Sequence, residues 1–186
     1  MPFMQSKSLI AGGAVLIVVG AGLIWAYAER QEPVVTQTPG TFNSSNDGLS
    51  FTYPTTYKLE GRTDGFEGKT IKVFTLIDKN VVIPDMSEGP PVISILIIPN
   101  PENLPLDEWI RTKSISNWQL SNKGEMGAST VGDESGLGYT YSGLYQNTAI
   151  GVAHNNKIYL FSVGTLEASD TIKADYFKIL DTVKFK

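Results

Sequence analysis

Three hydrophobic patterns follow one another along the chain. From Leu9 to Ala28 no residue carries a charge, and about twenty such residues are what a helix needs to cross a bilayer core. Residues 29–47, "ERQEPVVTQTPGTFNSSND", show no hydrophobic period. Pro33, Pro39, Gly40 and the many Thr, Ser and Asn residues read as a flexible linker. From Leu49 onward apolar and polar residues alternate, as they do in half-buried strands, and two later stretches return to helical spacing.

Within that third region, "LSFTYP" places Leu49, Phe51 and Tyr53 on one face and ends at Pro54, with "TYKLEG" as the expected partner. "KTIKVFTLID" alternates Ile71, Val73 and Thr75 against Lys72, Phe74 and Leu76. "PVISILIIP" is continuously apolar between prolines, as expected of a central strand buried on both faces. Such a sheet needs cover on both sides. One helix is predicted in "PLDEWIRTKSISNW", where Leu106, Trp109 and Ile110 share a face and Asp107 and Glu108 suit the first turn. The other lies in "SDTIKADYFKILD", with Ile172, Tyr176, Ile179 and Leu180 aligned and Ser169 or Asp170 as N-cap. Between them, "STVGD", "GLGYTYSG", "NTAIGVAH" and "KIYLFSV" form an antiparallel meander whose last turn is Asn155-Asn156. "TVKF" adds a short closing strand. The expected class is α+β, an antiparallel sheet flanked by helices over residues 48–186.

The first region has a competing reading. "LIVVGAGLI" resembles the strand and Gly-x-Gly turn that open a dinucleotide-binding domain. That turn needs a third glycine so that its helix can approach the sheet, and Trp25 stands there. The acidic residue expected about 20 positions later falls in "TQTPGTFNSSND", which has no strand character. A transmembrane helix fits better: Trp25 and Tyr27 sit at one end as membrane-interface aromatics, and Lys7 keeps residues 1–8 cytoplasmic. Ala26-Tyr27-Ala28 matches a signal-peptidase site, but cleavable signals have apolar cores of about 7–15 residues. The segment is read as a retained signal-anchor, with cleavage as the alternative. Either route puts residues 29–186 outside the membrane.

Two of the quoted stretches carry a family resemblance. "DGLSFTYPTTYKL" and "ADYFKILDTVKF" resemble the opening and closing segments of PsbP-like domains, over about residues 47–186. The resemblance implies an α/β/α sandwich and a role as a binding or assembly domain, usually without catalysis. It transfers no metal-binding or partner-binding residue to this chain.

Composition narrows the chemistry. Of the 15 basic residues only Lys7 precedes Glu29, which leaves 14 against all 19 acidic ones, a net of −5 for residues 29–186. With no basic run, nucleic acid is not an expected partner. Cysteine is absent, so disulfides, thiol nucleophiles and thiolate metal sites are excluded. His154 is the only histidine, which excludes a multi-histidine metal site. It reads as a rim histidine at a strand end, or as a proton-transfer group if a carboxylate lies nearby. Asp107-Glu108 and Asp133-Glu134 are adjacent pairs whose side chains diverge. Asp64 and Glu67 lack the ligand spacing of a calcium loop. No catalytic residue, cofactor or metal is therefore assigned.

The remaining signal is aromatic. Tyr139, Tyr141 and Tyr145 cluster in "GYTYSGLY". They either pack beneath a helix or, with His154, form a binding face for an envelope protein or a glycan. The leading expectation is a single-pass, membrane-anchored, extracytoplasmic binding or scaffolding domain. The alternatives are a small-ligand or metal sensor around Tyr139–Tyr145 and His154, and an envelope hydrolase with an unrecognised site.

Overall fold

Alternating side chains and tight turns fold the described residues into ten strands arranged in two antiparallel sheets. The structure is a computed structural model that describes residues 39–81, 89–121, 124–167 and 170–186. The expected cytoplasmic segment 1–8 and membrane span 9–28, with Trp25 and Tyr27, lie outside them. Among the described residues, no helix is long and apolar enough to cross a membrane.

The larger sheet contains β3 (Tyr57–Phe66), β4 (Lys69–Asp78), β5 (Ile93–Pro99), β6 (Gly127–Val131), β7 (Glu134–Ser142), β8 (Gln146–His154) and β9 (Lys157–Thr165). Its spatial order is β3-β4-β5-β9-β8-β7-β6. The smaller sheet has β2 (Leu49–Tyr53) between β1 (Gly40–Ser44) and β10 (Lys184–Phe185). The expected meander from β6 to β9 is present, pair by pair. Asn155 and Asn156 turn it with φ of 49° and 56°, a conformation asparagine tolerates.

Strand β5, apolar except for Ser94, lies between β4 and β9 and contributes buried side chains to both faces. Ile93, Ile95 and Ile97 join Leu49, Phe51, Phe161, Tyr176 and Ile179 in one hydrophobic cluster. That cluster lies beneath α2 (Thr171–Asp181) and the small sheet. Ile98 joins Trp109, Ile110, Tyr139 and Leu160 in a second cluster, beneath α1 (Leu106–Thr112). The result is a three-layer sandwich in which the small sheet shares one outer layer with a helix.

Three expectations are corrected. "TYKLEG" does not pair with "LSFTYP": β3 pairs with β4 across a Glu67-Gly68 turn, while β2 pairs with β1 and β10. Pro54 ends β2, and a turn closed by the Tyr57 N–H on the Pro54 carbonyl (3.0 Å) carries the chain into the other sheet. The expected linker 29–47 contains strand β1, so the folded part includes Gly40–Ser44 rather than beginning at Gly48. Phe42, the one aromatic residue in that polar stretch, anchors β1 by packing on Phe51 (4.9 Å) and Phe74 (4.6 Å). The first helix stops at Thr112, and two 3-10 turns, Ser114–Ser116 and Trp118–Leu120, continue the path. The Ser116 hydroxyl donates to the Ile110 and Lys113 carbonyls, and such local bonds compete with helix continuation.

The β6–β7 hairpin is tied to the end of α2. The Gly132 N–H donates to the Leu180 carbonyl (2.9 Å), one of the carbonyls a helix end leaves without an intrahelical partner. Gly132 has φ of 54°, and a Cβ there would lie 2.1 Å from the Val183 carbonyl oxygen. Gly132→Ala should therefore lower unfolding free energy by about 2–4 kcal/mol in urea titration, combining backbone strain with a steric clash. A loss below about 0.5 kcal/mol would contradict this packing.

Candidate functional site

Strand β7 reads "ESGLGYTYS" and sorts its side chains by size. Leu137, Tyr139 and Tyr141 belong to the cluster beneath α1, whereas Gly136, Gly138 and Thr140 alternate with them and face the α2 side. Tyr139 is 4% exposed; its hydroxyl donates to the Ser116 carbonyl (2.6 Å) and its ring meets Trp118 edge-on at 5.5 Å. Tyr141 is half-buried beside it, 6.2 Å between ring centres. Tyr145 lies after β7, where its hydroxyl donates to the Gly89 carbonyl and its side chain covers Gly164. Tyr139 and Tyr141 thus do not form an exposed stacking surface: they fill the space beneath α1 and the 3-10 turns.

His154 is on the other side of the sheet. Val152, two residues earlier on β8, belongs to the α2-side cluster, and the His154 ring packs on Phe185 (5.2 Å) and Tyr159 (6.4 Å). Strand parity sends His154 and the Tyr139–Tyr141 pair to opposite faces of the sheet. The carboxylate that could not be placed from sequence is Glu134, whose Oε1 lies 3.1 Å from His154 Nδ1. The β7–β8 register continued from Leu137↔Gly151 puts these two residues directly opposite one another. Asn155 donates its amide to His154 Nε2 (2.9 Å), which leaves the ring proton on Nδ1 and directed at Glu134. The same amide reaches the Lys186 carbonyl (3.2 Å), so this cluster fastens the C-terminus to the hairpin. Among the described residues no three His, Asp or Glu side chains converge as a metal site would require. The 3-10 segment adds a cation–π contact, Arg111 over Trp118 at 4.9 Å, that supports the wall around Tyr139.

The accessible concavity lies along α2. A cavity of about 380 Å³ is lined by Gly127, Ser129, Gly138, Thr140, Thr148 and Phe177. A second, of about 190 Å³, shares Thr140 and Thr148 and continues past Thr165 to Lys173. Glycines at 127 and 138 leave the sheet floor low, and Phe177, 43% exposed, stands above it. His154 and Glu134 line neither cavity. Residue identity alone did not reveal this groove, because glycine and threonine read as filler. The available signal was the small–large alternation of "GLGYTY", which strips one face of β7.

Burial pushes the phenols of Tyr139, Tyr57 and Tyr176 upward, reinforced at Tyr139 by the neighbouring Tyr141 and at Tyr57 by Asp175. With the folded value above the unfolded one, this stability is complete below about pH 10 and is lost as pH rises further. The melting temperature should therefore fall above about pH 10, less steeply in Tyr139→Phe. At neutral pH, Tyr139→Phe should cost about 1–3 kcal/mol because the Ser116 carbonyl loses its buried donor. An unchanged alkaline slope in that variant would remove Tyr139 as a contributor.

No protein-family profile matches the chain. Nor does any curated protein match its sequence. Among solved structures, the solution structure of cyanobacterial PsbP (CyanoP) from Synechocystis sp. PCC 6803 is similar to this chain with a TM-score of 0.54 and 16% identity. That likeness covers 83% of this chain and 96% of the cyanobacterial one. A crystal structure from Bacteroides thetaiotaomicron gives a TM-score of 0.48 and 12% identity, over 78% of this chain and 48% of that one. The likeness to CyanoP is one of fold, and the described residues have a PsbP-like fold.

Proposed function

We propose that this protein is a single-pass, membrane-anchored, extracytoplasmic domain that binds or scaffolds a component of the cell envelope without catalysis. The observation that carries the reading is the groove along α2, with its floor of glycine, serine and threonine and the exposed Phe177 above. Its lining supplies contact area and hydrogen-bonding hydroxyl groups, together with the charged Glu125, Glu167 and Lys173. A PsbP-like fold agrees with a binding or assembly role. Anchoring rests on the uncharged stretch Leu9–Ala28, flanked by Lys7 and by Trp25 and Tyr27. The envelope partner is a protein or a glycan.

Two measurements test the parts separately. Protease added to intact spheroplasts should digest residues 48–186, and full protection would overturn the orientation. A photo-crosslinking amino acid replacing Phe177 should capture a discrete envelope protein or glycan in the native host. The same reagent at Lys58, on the far edge of the sheet, should capture none. Adducts with lipid alone would overturn the binding role.

A further inference from the structure

The two edges of the large sheet differ. Edge strand β3 carries Lys58, Glu60, Arg62 and Asp64 on its exposed positions, a common means of blocking strand addition. Edge strand β6, "GASTV", has no charge, no proline and no bulge in its register with β7. Its turn to β7 has two residues, Gly132 and Asp133, so Val131 and Glu134 form the closing hydrogen-bonded pair. Counting back along the ladder, Ala128 and Thr130 direct their N–H and C=O groups away from β7, and both residues are exposed. No backbone partner in the described structure meets those groups.

The groove adjoins this edge. Gly127 and Ser129 face the α2 side with Gly138 and Thr148, and space is open where a Gly127 side chain would stand. Glu125 and Asp133, both exposed, bracket β6 at its two ends. In a two-fold antiparallel pairing of β6 with a second copy, Glu125 of one copy would approach Asp133 of the other. Like charges would meet at both ends, between chains that each carry a net charge of −4. A partner strand with basic ends meets the opposite sign instead.

Building on the groove reading above, we propose that β6 is a strand-addition site for an extended segment of another protein. The segment has an uncharged core matching the five residues of β6, basic residues at its ends, and one bulky apolar side chain. Its backbone pairs with Ala128 and Thr130, and the apolar side chain enters the groove over Gly127 and Gly138 beneath Phe177.

The test is panning of the full chain against a displayed library of random heptapeptides, followed by amide exchange with the enriched peptide. The expected peptides have basic ends around an uncharged centre and slow exchange at the Ala128 and Thr130 amides by at least about tenfold. Thr130→Pro removes an outward N–H, which an edge strand tolerates, and Gly127→Leu fills the groove where nothing lies within 4 Å. Each should weaken binding more than about tenfold without lowering the melting temperature. If Thr130→Pro unfolds the chain, Gly127→Leu alone decides. The proposal is overturned by absence of enrichment, by exchange protection elsewhere, by binding that survives the folded variants, or by self-association through β6. An envelope crosslink at Phe177 that persists in Thr130→Pro would remove the strand mode while leaving the groove reading in place; loss of any wild-type crosslink would remove the groove reading itself.

Discussion

Everything in this domain follows from a strand that cannot touch water on either side. β5 sends Ile93, Ile95 and Ile97 to one face and Leu96 and Ile98 to the other, and its neighbours β4 and β9 repeat the pattern. Each face therefore needs an apolar cover. One is built from α1 and the two 3-10 turns around Trp109 and Ile110. The other combines α2 with a three-stranded sheet whose Leu49 and Phe51 are as buried as the helix's Tyr176. Recruiting both termini of the folded unit into one outer layer explains why β1 and β10 lie on either side of β2.

That second cover is locked where the end of α2 meets β2 and the β6–β7 turn. The β6–β7 turn touches the last turn of α2 through Gly132 and Leu180, and the Thr182 hydroxyl bridges to Thr52 in both directions: it accepts from the Thr52 N–H (2.9 Å) and donates to the Thr52 carbonyl (3.2 Å). His154, Glu134, Asn155 and the Lys186 carbonyl then fasten the C-terminus over Phe185. The one histidine accordingly has a structural employment, and the concavity available for recognition is elsewhere. The groove exists because the cover is incomplete: the end of α2 covers Val131 and the β6–β7 turn, but over Gly127, Ser129 and Gly138 only Phe177 stands.

Much of the architecture was legible in the residues. The apolar run of β5, the aligned face of α2, the meander and the Asn155-Asn156 turn all rest on local periodicity or local backbone preference, which neighbouring residues express directly. Strand β1 was not legible, because a single Phe42 among polar residues makes no period. The partner of β2 was misread for a related reason: adjacency in sequence favours a hairpin, but Pro54 and the buried Tyr57 turn the chain toward the other sheet. The tyrosine cluster was legible as a cluster, while its burial depended on where the Ser114–Leu120 segment came to rest.

The sequence by itself determined the uncharged stretch at Leu9–Ala28, the α+β class and the residues that face inward, since these depend on polarity and spacing along the chain. Only the tertiary structure decided which surface is free. Whether Tyr139 meets solvent, whether His154 finds Glu134, and whether Gly127 and Gly138 lie under a helix or under open space are all set by long-range register and layer packing. A one-residue change of register would exchange the two faces of β7 and bury the groove instead of the tyrosines, so the groove is a property of the assembled sheet.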